Sequence, residues 1–599
     1  MASPFWSPEF QIDRRPDGTI LMRQTGDLPP YLPTLAAYLD RWAEATPDAT
    51  WIARRDATGA WRRITYAEGR AQAHALGAAL LAMGLGPERP LLILSGNSLE
   101  HALLAAACFC TGIPHAPVSP AYSLISKDHA KLRSIADTLR PGAIYAEDGT
   151  GFAPALAALA PHGAQLITLT NPPPGAALFD SLLTTNPTPA AAARATITPE
   201  TVVKYLFTSG STGTPKAVIN TNRMICANQA MIRDCYRFLQ TQPPVVLDWA
   251  PWNHTAGGNK VACMVLTNGG TLYIDDGKPT PTGFEQTLQN LREIPCTWYF
   301  NVPVGWDMLV ERLEQDADLA ATFFSRLVMM FYAGAGMAQH TWDRLRAVAR
   351  RTTGREVLLS TSLGATETAP FALSCMMLQD KAGNVGVPAR GLEMKLVPSG
   401  GKLELRLKGP SITPGYLGDP TRTLEAFDDE GFYRVGDALR PADPADLTKG
   451  FLFDGRVAEN FKLNTGTWVA VGALRAALVD AMGGLIRDAV ITGENEAELG
   501  ALVLLSPAAA AMDPAALRDA LRDRLTTHAA AATGSASRVT RLMPLHQAPS
   551  FDRGEVTEKG SLNQRALRTT HAALIARLHA PDTTPRTDPD IIHPHPSGL

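Results

Sequence analysis

Residues 206–217, LFTSGSTGTPKA, carry an apolar strand straight into a loop of hydroxyls and glycines that ends in Pro215 and Lys216. Gly210 and Gly213 let the backbone turn several N–H groups toward one point. Thr208, Ser209, Ser211, Thr212 and Thr214 add hydroxyls, and Lys216 adds a fixed positive charge. Such a loop grips a polyanion. It is not the common P-loop of nucleoside triphosphatases, because four residues after Gly210 comes Thr214, with Pro215 where the second glycine would stand. Ser/Thr/Gly clusters are often plain surface loops; the apolar strand at 202–207, hard against this one, argues for the grip.

Strand and helix patterns alternate on both sides of that loop. Residues 89–94 and 142–145 read as extended and 99–110 and 152–159 as helical. After the loop, 222–238 reads as helix, 245–250, 271–274 and 297–300 as strands, and 284–292, 303–316 and 339–351 as helices. This order predicts a parallel α/β architecture. Before it, two helical patterns flank a polar hairpin with Thr58 and Gly59 at its turn. The Pro/Ala-rich stretch 186–200 reads as a surface excursion. Beyond Pro388 the period becomes two, with Leu392, Met394 and Leu396 facing Leu403, Leu405 and Leu407 around a PSGG turn, which predicts antiparallel β. A smaller helix-and-strand unit follows a boundary near Arg456. The proline-rich tail from about residue 580 has little to bury and reads as disordered or draped.

With 599 residues the chain has core for several compact units, and a net charge of -3 gives no footprint for nucleic acid. Seven cysteines without C-x-x-C spacing indicate neither a disulfide framework nor a zinc site. The N-terminus lacks the basic start and apolar core of a secretory signal, and the most apolar run, 102–113, is too short to span a bilayer. A cytoplasmic protein without a membrane span is expected.

Five further stretches carry chemistry. WAPWNHT offers Trp249, Trp252 and His254 at a strand end as a wall for a planar ligand, although each is equally ordinary as core or surface. In YAGAG, the small residues Gly334, Ala335 and Gly336 let something flat lie against backbone. STSLGATET presents Thr366 and Glu367, a hydroxyl and a carboxylate suited to magnesium shared with phosphate oxygens. YRVGD presents Asp437, which could accept from both ribose hydroxyls. DGRVAENFKLNTGTW supplies Arg456, and a late segment, GEVTEKGSLNQ, supplies Lys559.

The order TSGSTGTPK, WNHT, GAGM, GATET, YRVGD, GR, FKLNTG and a late lysine resembles the acyl-adenylate-forming (ANL) family over nearly the whole chain, and within it feruloyl-CoA synthetases most. The resemblance implies an α/β fold: a large N-terminal domain, 1–456, with two α/β sheets and a β-barrel-like subdomain, and a small mobile α+β C-terminal domain, 457–599. It implies an acid–CoA ligase using ATP, Mg2+ and coenzyme A, first making acyl-AMP from a ferulate-like hydroxycinnamate and then its thioester, in phenylpropanoid catabolism. Carried over residue by residue, Lys559, His254 and Glu367 are catalytic, with Glu367 on the metal. Residues Thr208 to Thr214 with Lys216 hold the β- and γ-phosphates. Thr366, Asp437, Arg456 and the 334–336 turn complete the nucleotide site, and Gly466 lies on the coenzyme A channel. Trp249, Trp252, His254, Tyr299, Phe331 and Leu363 face the acyl group, with Phe300 and Tyr332 close by. Leu363 replaces the usual adenine-stacking tyrosine, Ala458 stands at the usual hinge position, and TEKGSL replaces the common SGK form around Lys559. A benzoate-like or medium-chain acid, or a catalytically inactive nucleotide-binding relative, are the alternatives. Transfer to a carrier protein is less expected, since no carrier-type domain follows residue 599, and a homodimer is compatible with the family.

Overall fold

The computed structural model describes residues 4–209, 215–556, 562–580, 588 and 590–595. Its first helices start where the sequence supplies caps. Thr34 accepts from the Ala37 N–H at the start of Leu35–Ala45, and Thr65 with Glu68 forms a capping box on Tyr66–Ala82. Between them, the Thr50–Arg55 and Trp61–Thr65 hairpin turns at Gly59, whose φ of 86° suits glycine. The hairpin does not stand alone. Ile52 pairs with Leu272, extending a sheet that runs Val245–Asp248, Thr271–Ile274, Thr50–Arg55, Trp61–Thr65.

The seven-stranded sheet runs Pro215–Thr221, Val202–Ser209, His115–Pro117, Leu91–Ile93, Ala143–Asp148, Gln165–Thr170, Ala177–Leu178. All its neighbours are parallel except the first pair. Leu91, Leu92 and Ile93 are fully buried, as a central parallel strand covered on both faces requires.

The other large sheet has eleven strands and is continuous across the change of period. A parallel edge of Trp298–Asn301, Met329–Tyr332 and Leu358–Leu363 passes through Leu373–Ser374 and Asn384–Pro388 into the antiparallel strands Phe451–Arg456, Tyr433–Pro441, Lys402–Lys408 and Glu393–Ser399. Ile20–Gln24 and Phe10–Arg14 close its far edge, a part of the chain for which sequence pattern predicted no element. The antiparallel part, expected as a β-barrel-like subdomain, is instead continuous with the second α/β sheet in one eleven-stranded sheet.

One further expectation is corrected, and of the two readings of the tail the described residues fit the draped one. Within the stretch 186–200, Thr188–Arg194 is a helix, and Ala190 is fully buried against Gly77 on the Tyr66–Ala82 helix. Alanines are small enough to let the helices close, and Arg194 is anchored to Asp40 at 3.2 Å. In the tail, Ile592 exchanges two backbone hydrogen bonds with Leu542, of 2.8 and 3.0 Å, and is 2% exposed. Burying one such side chain stabilises by roughly 1.5–3 kcal/mol, which offsets part of the cost of ordering this short segment.

The C-terminal unit has its own sheet, Ile486–Thr492, Leu499–Leu505 and Val539–Pro544, and its own core around Leu478, Leu521, Leu525 and Val503. All seven cysteines are buried free thiols, and burial pushes Cys110 and Cys296 up to about 12. Among the described residues, no helix is long and apolar enough to cross a membrane.

Candidate active site

Strand register sets the first contact of the site. Val202–Ser209 ends at its C-terminal edge in Thr208 and Ser209, and Pro215–Thr221 returns antiparallel so that Lys216 pairs with Thr208. Gly210, Ser211, Thr212, Gly213 and Thr214 lie outside the described residues. At the base of that loop the Thr208 hydroxyl is buried with no hydrogen-bond partner among the described residues, a donor held for something else.

Lys216 reaches across to the neighbouring sheet. Its Nζ lies 2.7 Å from Glu367 Oε1 and 2.9 Å from the Tyr416 hydroxyl, and Tyr416 donates to the same Oε1 at 3.1 Å. The Tyr433 hydroxyl is 3.4 Å from that of Tyr416. Glu367 sits in the Thr366–Thr368 turn just beyond the Leu358–Leu363 strand, and both Thr366 and Glu367 are buried. Gly364 makes this approach possible, since a Cβ there would run into the Pro370 carbonyl. Burial opposes the Lys216 charge, but Glu367 and Tyr416 outweigh it and its pKa stands above the usual lysine value. Burial and the Glu367 charge raise Tyr416 and Tyr433, so both phenols remain donors. A buried ion pair is weak evidence for stability, because desolvation offsets most of the attraction. This one has the character of a site. Neither tyrosine was assigned from sequence; Tyr433 opens the YRVGD motif, whereas Tyr416 carried no signal.

Asp437 and Arg456 pair directly across the strands Tyr433–Pro441 and Phe451–Arg456. Asp437 is 5% exposed, and its Oδ1 lies 3.3 Å from the Arg456 Nε, too loose for a strong ion pair with an arginine side chain that is 60% exposed. Burial therefore pushes Asp437 up to about 6, with Arg456 opposing. Gly436 before it has a φ of 81°. Residues 334–336 form an exposed ledge at the end of Met329–Tyr332, where a Cβ on Gly336 would meet nothing within 4 Å.

The segment after Val245–Asp248 forms the opposite side. The Trp249 indole N–H donates to Asn301 Oδ1 at 3.2 Å, while Trp252 is buried edge-on to His101 at 5.0 Å. His254 is half-buried, and its Nδ1 accepts from the Ala256 N–H at 3.3 Å, at the start of the π-helical turn Ala256–Val261. Strand alternation divides the aromatics. Tyr299 points into a separate core between Trp306 and Phe323, both at 5.3 Å, and Tyr332 packs against Trp342 at 6.2 Å. The face toward the π-turn is instead Trp298, Phe300 and Phe331, with Trp298 and Phe331 stacked at 5.5 Å. Leu363 is half-buried at the end of the adjoining strand. Lys260, six residues after His254, is buried against Phe331, a contact that sequence reasoning missed.

Lys559 lies outside the described residues; the residues on either side of the gap are described. Val556 bridges Leu562, and the Asn563 N–H donates to Glu555 O at 2.9 Å. Just before Glu555, Asp552 accepts from the Ser126 hydroxyl at 2.7 Å, and Lys131 Nζ donates to Phe551 O at 2.7 Å. Residues 118–131 follow His115–Pro117, the strand beside Val202–Ser209, so the C-terminal unit docks at the sheet edge that carries the loop base. Gly466, with a φ of 81°, turns between Phe461–Lys462 and Trp468–Val469. The 3-10 turn Val457–Glu459, which includes Ala458, directly follows Arg456.

An AMP-binding enzyme profile matches residues 39–417, and an AMP-binding enzyme C-terminal domain profile matches 463–582. The chain is similar to a medium-chain fatty-acid–CoA ligase of Escherichia coli (strain K12), 30% identical over 39% of this chain and 40% of that one. It is also similar to the phosphinothricin tripeptide synthetase PhsC of Streptomyces viridochromogenes, 26% identical over 83% of this chain and 43% of that one. These matches span less than half the length of either curated relative. ATP-bound MatB from Rhodopseudomonas palustris shares the fold, with a TM-score of 0.68 at 21% identity, covering 90% of this chain and 99% of that one. With more than half of its length matched by the first profile, this chain belongs to the AMP-binding, acyl-adenylate-forming (ANL) enzymes.

Proposed function

We propose that this chain is an acid–CoA ligase that activates an aromatic, ferulate-like acid with ATP and passes it to coenzyme A. The observation that supports this most is the Lys216–Glu367 pair at the base of the 208–216 loop. A cation meant for phosphate and a carboxylate meant for a metal neutralise each other until nucleotide arrives.

In the first half-reaction a substrate carboxylate oxygen attacks the α-phosphorus of ATP, the bond to the bridging oxygen breaks, and acyl-AMP and pyrophosphate form. Two anions must approach, so cationic groups near the developing charge dominate the barrier. Lys216 turns from Glu367 to the β- and γ-phosphates, joined by the Thr208 hydroxyl. Glu367, still oriented by Tyr416, would then be free to hold magnesium, which would supply positive charge to the phosphate oxygens. Asp437 accepts from the ribose hydroxyls, Arg456 borders them, and the 334–336 ledge carries adenine. Lys559 bridges the carboxylate and the α-phosphate, and His254 orients the carboxylate. In the second half-reaction the C-terminal unit turns about Val457–Glu459, the coenzyme A thiol reaches the carbonyl past Gly466, and AMP leaves.

The stacked Trp298, Phe300 and Phe331 support an aromatic substrate. Exchange of pyrophosphate into ATP with ferulate, p-coumarate, benzoate and octanoate, followed by thioester formation with coenzyme A, tests the reading. Exchange with the hydroxycinnamates and a coenzyme A-dependent product are expected. No exchange with any acid would overturn the enzyme reading, octanoate preference would replace the aromatic acid, and exchange without thioester would replace the acceptor.

A further inference from the structure

Lys260 is the most thoroughly buried cation near the site, 3% exposed on the π-helical turn Ala256–Val261. Its Nζ lies 3.4 Å from the centroid of Phe331, 4.9 Å from Phe371, 5.6 Å from Tyr236 and 5.9 Å from Trp298. Its hydrogen bonds go to two neutral hydroxyls, Tyr236 at 3.2 Å and Ser362 at 3.4 Å. Among the described residues it has no carboxylate within ion-pair distance. Desolvating an ammonium without a counter-charge is costly, and the nearby rings return only part of that. Burial accordingly drives its pKa well below the usual lysine value, with Cys235 opposing. A methionine would fill the same space among the rings without that penalty.

The surroundings of Lys260 tell what the amine serves. Ser362 stands on the strand that runs on to Thr366 and Glu367, and Phe331 on the strand that runs into the 334–336 ledge. The turn that carries Lys260 begins two residues after His254. All three segments therefore lead from the Lys260 amine outward to the carboxylate and phosphate chemistry. With the carboxylate at His254 and the ring beside Phe331, as the ligase reading has it, the far edge of the acid would come to the amine.

We infer that Lys260 is a specificity residue that reads an oxygen on the ring edge opposite the carboxylate, and that the preferred acids are phenolic rather than unsubstituted. The inference rests on the aromatic-acid ligase reading above. The phenol hydroxyl donates to the uncharged amine, or transfers its proton and is held as phenolate by the ammonium; either form satisfies both buried groups. An acid without that oxygen leaves the buried amine with only the Tyr236 and Ser362 hydroxyls and puts apolar ring edge against it, the kind of mismatch that polar sites reject.

The test is pyrophosphate exchange with 4-hydroxycinnamate and cinnamate, which share one skeleton, in the unaltered protein and in Lys260→Met. The unaltered protein is expected to favour the phenol about a hundredfold in kcat/KM. In Lys260→Met the ratio should collapse to within about threefold, chiefly through loss of the phenol. A ratio near one in the unaltered protein, or an equal fall for both acids in the variant, would overturn the inference. Binding to the unaltered protein gives a second reading that needs no variant. The near-ultraviolet band of bound 4-hydroxycinnamate should shift to longer wavelength than in buffer, and an unshifted band counts against Lys260. Exchange with neither acid but with octanoate overturns the aromatic reading itself, a result separate from failure to discriminate the two.

Discussion

Lys216 Nζ, on a strand of the seven-stranded sheet, and Glu367 Oε1, in the turn after a strand of the eleven-stranded one, stand 2.7 Å apart, joined through one tyrosine hydroxyl that touches both. The two opposite charges thus hold each other in place between the Pro215–Thr221 strand and the Thr366–Thr368 turn.

Lys216→Ala should remove the charge that meets the departing pyrophosphate. Pyrophosphate exchange is expected to fall about 10²- to 10³-fold, while thioester formation from supplied acyl-AMP changes little. Rapid-quench measurement of the two half-reactions checks this, and a defect confined to the thiol step would contradict it.

Glu367→Gln keeps the shape of the side chain but leaves the Lys216 ammonium without its counter-charge. The magnesium concentration for half-maximal exchange should rise about tenfold or more. An unchanged magnesium titration would remove Glu367 from the metal.

If Asp437 meets the ribose as proposed, nucleoside binding should depend on pH, because burial raises its pKa to about 6 from an ordinary 3.8. The folded protein holds this proton more tightly than the unfolded chain does. The buried carboxylate therefore destabilises the fold at neutral pH, and that penalty is relieved as pH falls through about 6 toward 3.8. Ribose hydroxyls need the ionised form, so adenosine affinity should drop about tenfold per pH unit below 6. Calorimetry with adenosine, whose ribose carries no titrating phosphate, measures the effect. Asp437→Asn should bind adenosine weakly with a flat profile, and gain about 1–3 kcal/mol of stability at pH 8.

Asp552→Ala cuts the contact between the C-terminal unit and Ser126. A hydrogen bond to a charged group is worth about 1.5–3 kcal/mol, so exchange should slow about tenfold or more if this docking precedes adenylation. Unchanged exchange with a normal melting temperature would show that the docking does not serve that step.

Part of the candidate site could be marked in the sequence because apolar strands run into glycine- and hydroxyl-rich segments, as at Thr208, Lys216 and Glu367. Asp437 lies in the middle of its strand and was marked only by the glycine before it and by the family resemblance. Tyr299 was not separable from Trp298 and Phe300, since Trp298–Asn301 is buried on both faces and carries no polar alternation to tell one side from the other. Tyr416 and Lys260 reach the site through contacts between distant segments, which no local pattern encodes. Thr188–Arg194 was hidden for a different reason. Its alanines look like linker composition until two larger helices present a groove narrow enough to need them.

The seven thiols leave the chain chemically quiet toward maleimides and other cysteine reagents, since each is buried and shifted away from the reactive thiolate. A cysteine introduced on the surface of each domain would then take a fluorophore against a dark background. Energy transfer between such a pair would show whether the C-terminal unit turns when ATP, acid and coenzyme A are supplied, with none of the native cysteines removed.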